Sequence, residues 1–202
     1  LIDGSIVDVA TDKGLIAWIG TPSQSPIVCH KTINLDGYIL SSSFVEPHAH
    51  LDKAFLADRI SNPAGDLMGA IRGLEAIRAS ITHEDIVERA TRAVHLMSRN
   101  GVTSIRTHAD TTTSGGLSSV HALLEVKKKC THFVDIQVAM LLEWPVTGVA
   151  GKEHHALARD AIAAGIDVIG GCPHLDPDPR RAVEFFIDLA VDSGLPLDLH
   201  AD

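Results

Sequence analysis

Phe44-Val45-Glu46-Pro47-His48-Ala49-His50-Leu51-Asp52 begins as a β-prone apolar segment and ends in two histidines and an aspartate. It marks the point at which the chain changes character. Before it, Ile6 to Val9 and Ile16 to Ile19 are short β-prone runs separated by the turn-like Thr11-Asp12-Lys13-Gly14. Pro, Ser and Gly punctuation follows from Thr21 to Pro26, then Ile33 to Leu35 and Asp36-Gly37. This pattern predicts a few short antiparallel strands within residues 1–43. From Phe44 onward, strand and helix patterns alternate. Strands are expected at Phe44 to Leu51, Val102 to Thr107, Phe133 to Leu141, Ile166 to Ile169 and Leu197 to Leu199.

The intervening helices carry their own signals. Thr82 precedes a stripe of Ile86, Ala90, Ala93, Val94 and Met97 at helical spacing, with Asp85 in the place of a capping-box acid and Asn100-Gly101 as the stop. Asp178 and Pro179 open another helix with apolar Val183, Phe186, Leu189 and Ala190, and Gly194 ends it. Helices are also expected from Asp66 to Ala79, Leu117 to Lys129, and Lys152 to Ala164. Strands alternating with helices imply a parallel sheet with right-handed crossovers. A doubly wound sheet and a (β/α)8 barrel both fit that pattern.

The composition of the 202 residues is globular, with 45% hydrophobic and 21% charged residues. Mean hydropathy is only +0.15. The longest apolar run, Phe133 to Leu142, contains Asp135 and Gln137, so nothing approaches the ~18–20 residues of a membrane span. Seventeen basic against 26 acidic residues give a net charge of −9, which argues against a nucleic-acid partner. The basic run Lys127-Lys128-Lys129 reads as a water-facing helix end. Cys29, Cys130 and Cys172 are far apart and form no CxxC pair. With no charged-then-apolar leader at the start, the expectation is a cytoplasmic location. The outlier is histidine, with 12 residues.

Polar residues collect at the C-terminal ends of the expected strands. These ends read His48-Ala49-His50-Leu51-Asp52, then His108-Ala109-Asp110, then Gln137 on to Glu143, then Cys172-Pro173-His174, then His200-Ala201-Asp202. Active sites of α/β barrels and open α/β sheets lie at that edge. His48 and His50 stand at i and i+2, so on a strand both imidazoles point to one face. With His200 they make a set that suits one divalent cation, zinc or iron, and spacing does not separate the two. His108 and Asp110 read either as supports for metal ligands or as residues that cap the barrel. His83, His154 and His155 read as solvated, and His174 as either facing the site or structural. There is no GxxxxGK[ST], HExxH, GxSxG or HxE…PCxxC signature.

Five of these segments, in order and spacing, resemble motifs of the amidohydrolase superfamily in its cytosine-deaminase-like branch. They are Phe44 to Asp52, Arg106 to Asp110, Asp135 to Val138, Gly170 to His174, and Asp198 to Asp202. The resemblance implies a (β/α)8 TIM barrel, with its first five strands in residues 44–202, beside a small β-sandwich begun by residues 1–43. It implies one catalytic metal held by His48, His50 and His200 together with an aspartate after strand eight. Gln137 matches the glutamine that binds the amide-like edge of the substrate. The general acid/base glutamate comes directly after the aspartate matching Asp202, so no catalytic acid is expected within the chain.

Binuclear relatives bridge their metals with a lysine at the end of strand four. Ile169-Gly170-Gly171-Cys172 has none, which favours the mononuclear branch. Lys53 is similar to a lysine of relatives that cleave alkylamino groups from triazines, and its plainer reading is a surface lysine at a strand end. The implied activity is release of ammonia or an amine from a cytosine-like or triazine-like heterocycle by metal-activated water. A cyclic-amide or N-alkyl hydrolase of the same superfamily, and a non-catalytic metal-binding or ligand-binding fragment, are the alternatives. The expected partner is a small heterocyclic substrate, neither nucleic acid nor membrane is expected, and a homo-oligomer is compatible with the sequence. Since such barrels run to ~250 residues, the expectation is a piece of a larger hydrolase.

Overall fold

The computed structural model describes all residues except 2, 3, 25 and 202, and the chain divides into the units Leu1–Ser43 and Phe44–Asp202. In the first unit, β1 (Asp8–Asp12) pairs antiparallel with β2 (Leu15–Gly20). The two residues between them, Lys13 and Gly14, have φ of 49° and 80°. Positive φ at both central positions matches the right-handed twist of the flanking strands, which makes this the tight hairpin turn. The first strand starts two residues and ends three residues later in the chain than the first expected run. Ile33 to Leu35 is not a strand: Ile33 and Leu35 are exposed, and no ladder among the described residues takes up the backbone.

The second unit is built on β3 (Phe44–Ala49), β4 (Val102–Thr111), β5 (Asp135–Leu142), β6 (Ile169–Gly171) and β7 (Leu197–Leu199). They form one parallel sheet in the order β3-β4-β5-β6-β7. A doubly wound sheet would add later strands on both sides of its first strand. Here each strand joins the same growing edge, and the sheet curls as a half-barrel. That settles the choice which the alternation pattern left open.

The helices are α1 (Leu67–Ile77), α2 (His83–Arg99), α3 (Ser118–Cys130), α4 (Gly151–Ala164) and α5 (Pro179–Ser193). Thr82 caps α2, its side chain accepting from the Asp85 amide at 3.2 Å. The Asp85 carboxylate is meanwhile engaged by Arg59 and Arg89, so only the Thr82 half of the expected capping box is needed. Asp178 caps α5 in the same way, accepting from the Arg181 amide. Of the α2 stripe, Ile86, Ala90, Ala93 and Val94 are buried, against Val120, Leu123 and Val126 of α3 in one core. Ile136, Val138, Met140 and Leu142 alternate along β5 and enter that core, so the opposite face of the pleat is the concave one.

Strand β6 starts later than the expected Ile166 to Ile169, because Val168 makes only an isolated bridge to Ala139. Its Gly170-Gly171 pair has a steric cause. A Cβ on Gly170 would lie 2.5 Å from the Met140 carbonyl oxygen and 2.7 Å from that of Asp198. One on Gly171 would lie 2.2 Å from the Phe186 ring. Lys127 does not simply face water: its ammonium pairs with Asp167 at 2.6 and 2.8 Å, and Asp167 also accepts from the Val138 amide at 2.7 Å.

The loop after β6 holds the loop after β5 through one carboxylate. Buried Asp176 accepts from the amides of Val146 at 2.6 Å, Thr147 at 3.3 Å and Asp178 at 3.0 Å, and from the Thr147 hydroxyl. Burial pushes its pKa up, but the Thr147 hydroxyl and these amides outweigh burial and hold it below the usual carboxylate range. A lowered folded-state pKa contributes stability above the ordinary carboxylate range and loses it as pH falls through and below that range. Asp176→Ala is therefore expected to lower stability at pH 7 by about 2–4 kcal/mol, and to flatten the decline of stability between pH 5 and 3, in urea unfolding followed by circular dichroism.

Candidate metal centre

The site begins where β3 ends. His48 lies on the strand and His50 just beyond it, at the head of the single 3-10 turn Leu51–Lys53. That turn is fastened to β4 at two points. The Leu51 amide donates to Thr107 Oγ1 at 3.0 Å, and the Asp110 amide donates to Asp52 Oδ2 at 3.0 Å. Leu51 enters the core, 1% exposed. Arg89 of α2 reaches the turn from behind, donating to the carbonyls of Asp52 at 2.9 Å and Ala54 at 2.7 Å. The histidine pair is thus carried on a rigid corner.

His200, after β7, is fixed through its backbone. Its amide donates to the Gly171 carbonyl at 3.0 Å, and its own carbonyl accepts from His174 Nδ1 at 3.0 Å. His174 thus bonds the backbone that carries His200. The rings of His48 and His50 lie 5.2 Å apart, those of His48 and His200 4.6 Å, and those of His50 and His200 5.4 Å. His50 Nε2 and His200 Nε2 are separated by 3.4 Å. Two nitrogens of a tetrahedral site with metal–nitrogen bonds of ~2.0–2.1 Å stand ~3.3–3.4 Å apart, so this spacing fits a shared cation.

A fourth imidazole joins them. His108 of β4 lies 4.4 Å from the His48 ring and 4.8 Å from that of His200. One nitrogen from each of His48, His50, His108 and His200 falls within 4.8 Å of all the others. His50 is lowered to about 3, by burial first and then by Lys53 and the neighbouring histidines. His108 is lowered to about 4, by burial first and then by His200 and His48. Both rings are therefore neutral at pH 7, the form that offers a lone pair to a cation.

Beside the histidines runs a chain of charges. Lys53 Nζ lies 2.6 Å from Asp110 Oδ1, 3.4 Å from Asp52 Oδ1 and 3.5 Å from His50 Nδ1. Arg78 Nη2 lies 3.3 Å from Asp110 Oδ2 and 2.5 Å from Glu75 Oε1. Burial raises Asp52. Burial also pushes Asp110 up, but Lys53 and Arg78 outweigh it and keep this carboxylate low and ionised. A cavity of about 420 Å³ opens against Lys53, Glu75, Arg78, Asp110, Ser114 and Ser119. The plain surface reading of Lys53 does not survive, because two carboxylates hold the ammonium inward.

Gln137 lies on β5 opposite Arg106, one pleat toward the strand's N-terminal end from the level of His108 and Ala139. Its Oε1 accepts from Arg106 Nε at 3.0 Å, and Arg106 Nη1 donates to Asp198 Oδ2 at 2.8 Å. Asp202 lies outside the described residues. His154 and His155 are not the solvated pair expected. His154 is buried, with Nε2 3.3 Å from Glu143 Oε2, and His155 donates to the Val146 carbonyl and stacks on Phe185. The missed signal is the spacing of His154, Ala158 and Ala161, which is the buried stripe of α4. His83 pairs with Glu125 at 2.8 Å.

No protein-family model matches the chain. A pterin deaminase of Rhizobium rhizogenes is 26% identical over 196 residues, covering 96% of this chain and 44% of that protein. An N-isopropylammelide isopropyl amidohydrolase of a Pseudomonas species is 29% identical over 178 residues, covering 84% and 42%. The crystal structure of a 5-methylcytosine deaminase from Klebsiella pneumoniae, liganded with 5-fluorocytosine, superposes with a TM-score of 0.84 at 31% identity. It is matched over 97% of this chain and 48% of its own. These homologues are members of the amidohydrolase superfamily, and the chain spans about half the length of each.

The anchoring of the turn yields a direct test. Arg89 is buried and bonded to two carbonyls of the turn as well as to Asp85. Arg89→Met is expected to cost about 3 kcal/mol in urea unfolding, because the carbonyls lose a charged donor that no water replaces. Removing only the more exposed partner, in Asp85→Asn, is expected to cost less than about 1 kcal/mol.

Proposed function

We propose that the whole protein, homologous to amidohydrolase-superfamily enzymes, hydrolyses a carbon–nitrogen bond of a small nitrogen heterocycle and releases ammonia or an amine. The observation that carries this reading is the convergence of His48, His50 and His200 at the C-terminal edge of the half-barrel sheet, with one nitrogen of each within 4.8 Å of the others. These three hold a single divalent cation, zinc or iron. The glycine pair of β6, where neither position has room for a side chain, supports one metal rather than a lysine-bridged pair. When bound, the cation supplies a water activated at neutral pH.

The chain's own residues do the rest. The fixed turn Leu51–Lys53 keeps His48 and His50 in register with His200, so that little side-chain freedom is lost on metal binding. Lys53 and Arg78 keep Asp110 ionised, which sets a fixed charge pattern against the cavity. Gln137 contributes its amide to substrate binding, its oxygen oriented by Arg106 and its NH₂ left for a ring acceptor. By the resemblance, the proton-carrying glutamate is the residue after Asp202. The relatives named for pterin, 5-methylcytosine and N-isopropylammelide support aminated pyrimidine-like, pterin-like or triazine-like rings as substrates. N-alkyl cleavage is the second reading, favoured by Lys53 beside His50. Residues 1–43 belong to a small β-sandwich, and the cysteine spacing supports a cytoplasmic location.

The test is an ammonia and amine assay of the whole protein on a panel of aminated pyrimidines, pterins and N-alkylaminotriazines. Release from at least one class is expected, with ammonia separating deamination from N-dealkylation, and no release from any contradicts the proposal. Alanine at His48 or His50 is expected to cut bound metal from one equivalent to below a tenth by elemental analysis. The same changes should lower turnover by at least ~10³-fold, since a metal-activated nucleophile is then missing.

A further inference from the structure

Strand β7 leads into one of the three histidines, yet its backbone is lightly fastened. It is three residues long, lies at the end of the strand order and pairs with β6, which is also three residues long. The backbone bonds of His200 run to Gly171 of β6 and from His174 of the loop that follows β6. Strand β3, which leads to His48 and His50, lies at the opposite end of the order. By contrast β4 is ten residues long and pairs with both β3 and β5.

A side-chain tie runs from β4 to β7 over the concave face. Arg106 alternates with Ile105, and Gln137 with Ile136 and Val138, all three of which are in the core, so Arg106 and Gln137 share the other face. Asp198 stands two residues before His200 and shares its side of the chain. Arg106 Nε donates to Gln137 Oε1 at 3.0 Å, and Nη1 donates to Asp198 Oδ2 at 2.8 Å. One planar fork thus links β4, β5 and β7, a geometry that the single ammonium of a lysine does not reproduce. Gly170, the register partner of Asp198, adds no side chain beside the carboxylate. The Arg106 and Asp198 side chains are 33% and 22% exposed, so water screens the pair in part.

We propose that Arg106 is a positioning residue: through Asp198 it straps β7 to β4, and so sets where His200 stands relative to His48 and His50. The inference rests on the cation reading above and leaves its ligands unchanged. Strand β4 is itself paired with β3, at Glu46 with Ile105 and at Ala49 with Thr107, so the strap connects the two ends of the sheet across its concave face. Its contribution is preorganisation. Without it a cation would have to draw β7 into place on binding, and affinity would fall by what that ordering costs.

The experiment compares the whole protein with its Arg106→Met and Asp198→Asn variants in two measurements. The first is hydrogen–deuterium exchange of the metal-free protein. The peptide spanning β7 is expected to exchange ~3–10-fold faster in either variant, the factor implied by loss of one partly exposed charged hydrogen bond, with α2 and α3 unchanged. The second is zinc affinity, by competition with a chromophoric chelator. It is expected to fall by the same ~3–10-fold in each variant, because the zinc must then supply the ordering. The double variant is expected to bind no more weakly than the weaker of the two singles, since both changes remove one tie. Exchange in β7 that is unchanged, or that rises equally in α2 and α3, overturns the strap. So does zinc affinity that stays at the wild-type value, or losses that add in the double variant. Asp198→Asn carries both measurements alone if Arg106→Met does not fold. A wild type that binds no zinc contradicts the cation reading itself, and exchange of the metal-free protein then still decides the strap.

Discussion

Two hydrogen bonds hold the corner on which the site depends. Leu51 donates its amide to the Thr107 hydroxyl, and Asp52 accepts the amide of Asp110. Each is worth about 1 kcal/mol net. Their larger effect is geometric. Beyond Ala49 the β3 backbone leaves the sheet, and without these ties His50 would swing free of His48. Asp52 ties the turn to β4 and also lies beside Lys53, so one aspartate connects the turn, the strand and the neighbouring charges.

The electrostatics follow from that corner. Four imidazoles are crowded into one place next to an ammonium, and His108 is fully buried. Burial and Lys53 keep His50 neutral, and burial with the adjacent rings keeps His108 neutral. The positive charge of Lys53 is balanced by Asp110 and Asp52 rather than by the histidines. The site is therefore a group of lone pairs set beside, but not within, a compensated charge network. Such an arrangement favours a cation over protons as the occupant.

Much of this was legible in the sequence, for physical reasons. The strand and helix alternation, the Thr82 and Asp178 caps and the stripe of α2 are local signals, and they come through within a residue or two. The convergence of His48, His50 and His200 could be anticipated because i, i+2 spacing and strand-end position are both one-dimensional facts. What was not legible depends on contacts between distant segments. Lys53 looks like a surface residue until Asp110, 57 positions later, is placed beside it. His154 looks solvated unless the stripe it shares with Ala158 and Ala161 is read as buried. The choice between barrel and open sheet turned on strand order, which alternation alone does not encode.

The central claim is that the histidines of β3 and β7 hold one divalent cation. An anomalous-difference map from crystals of the metal-loaded protein, with data collected on both sides of the metal's absorption edge, tests it most directly. The account predicts a single peak lying ~2.0–2.3 Å from a ring nitrogen of each of His48, His50 and His200. The absence of a peak there, or a peak bound elsewhere with these rings facing only one another, would contradict it.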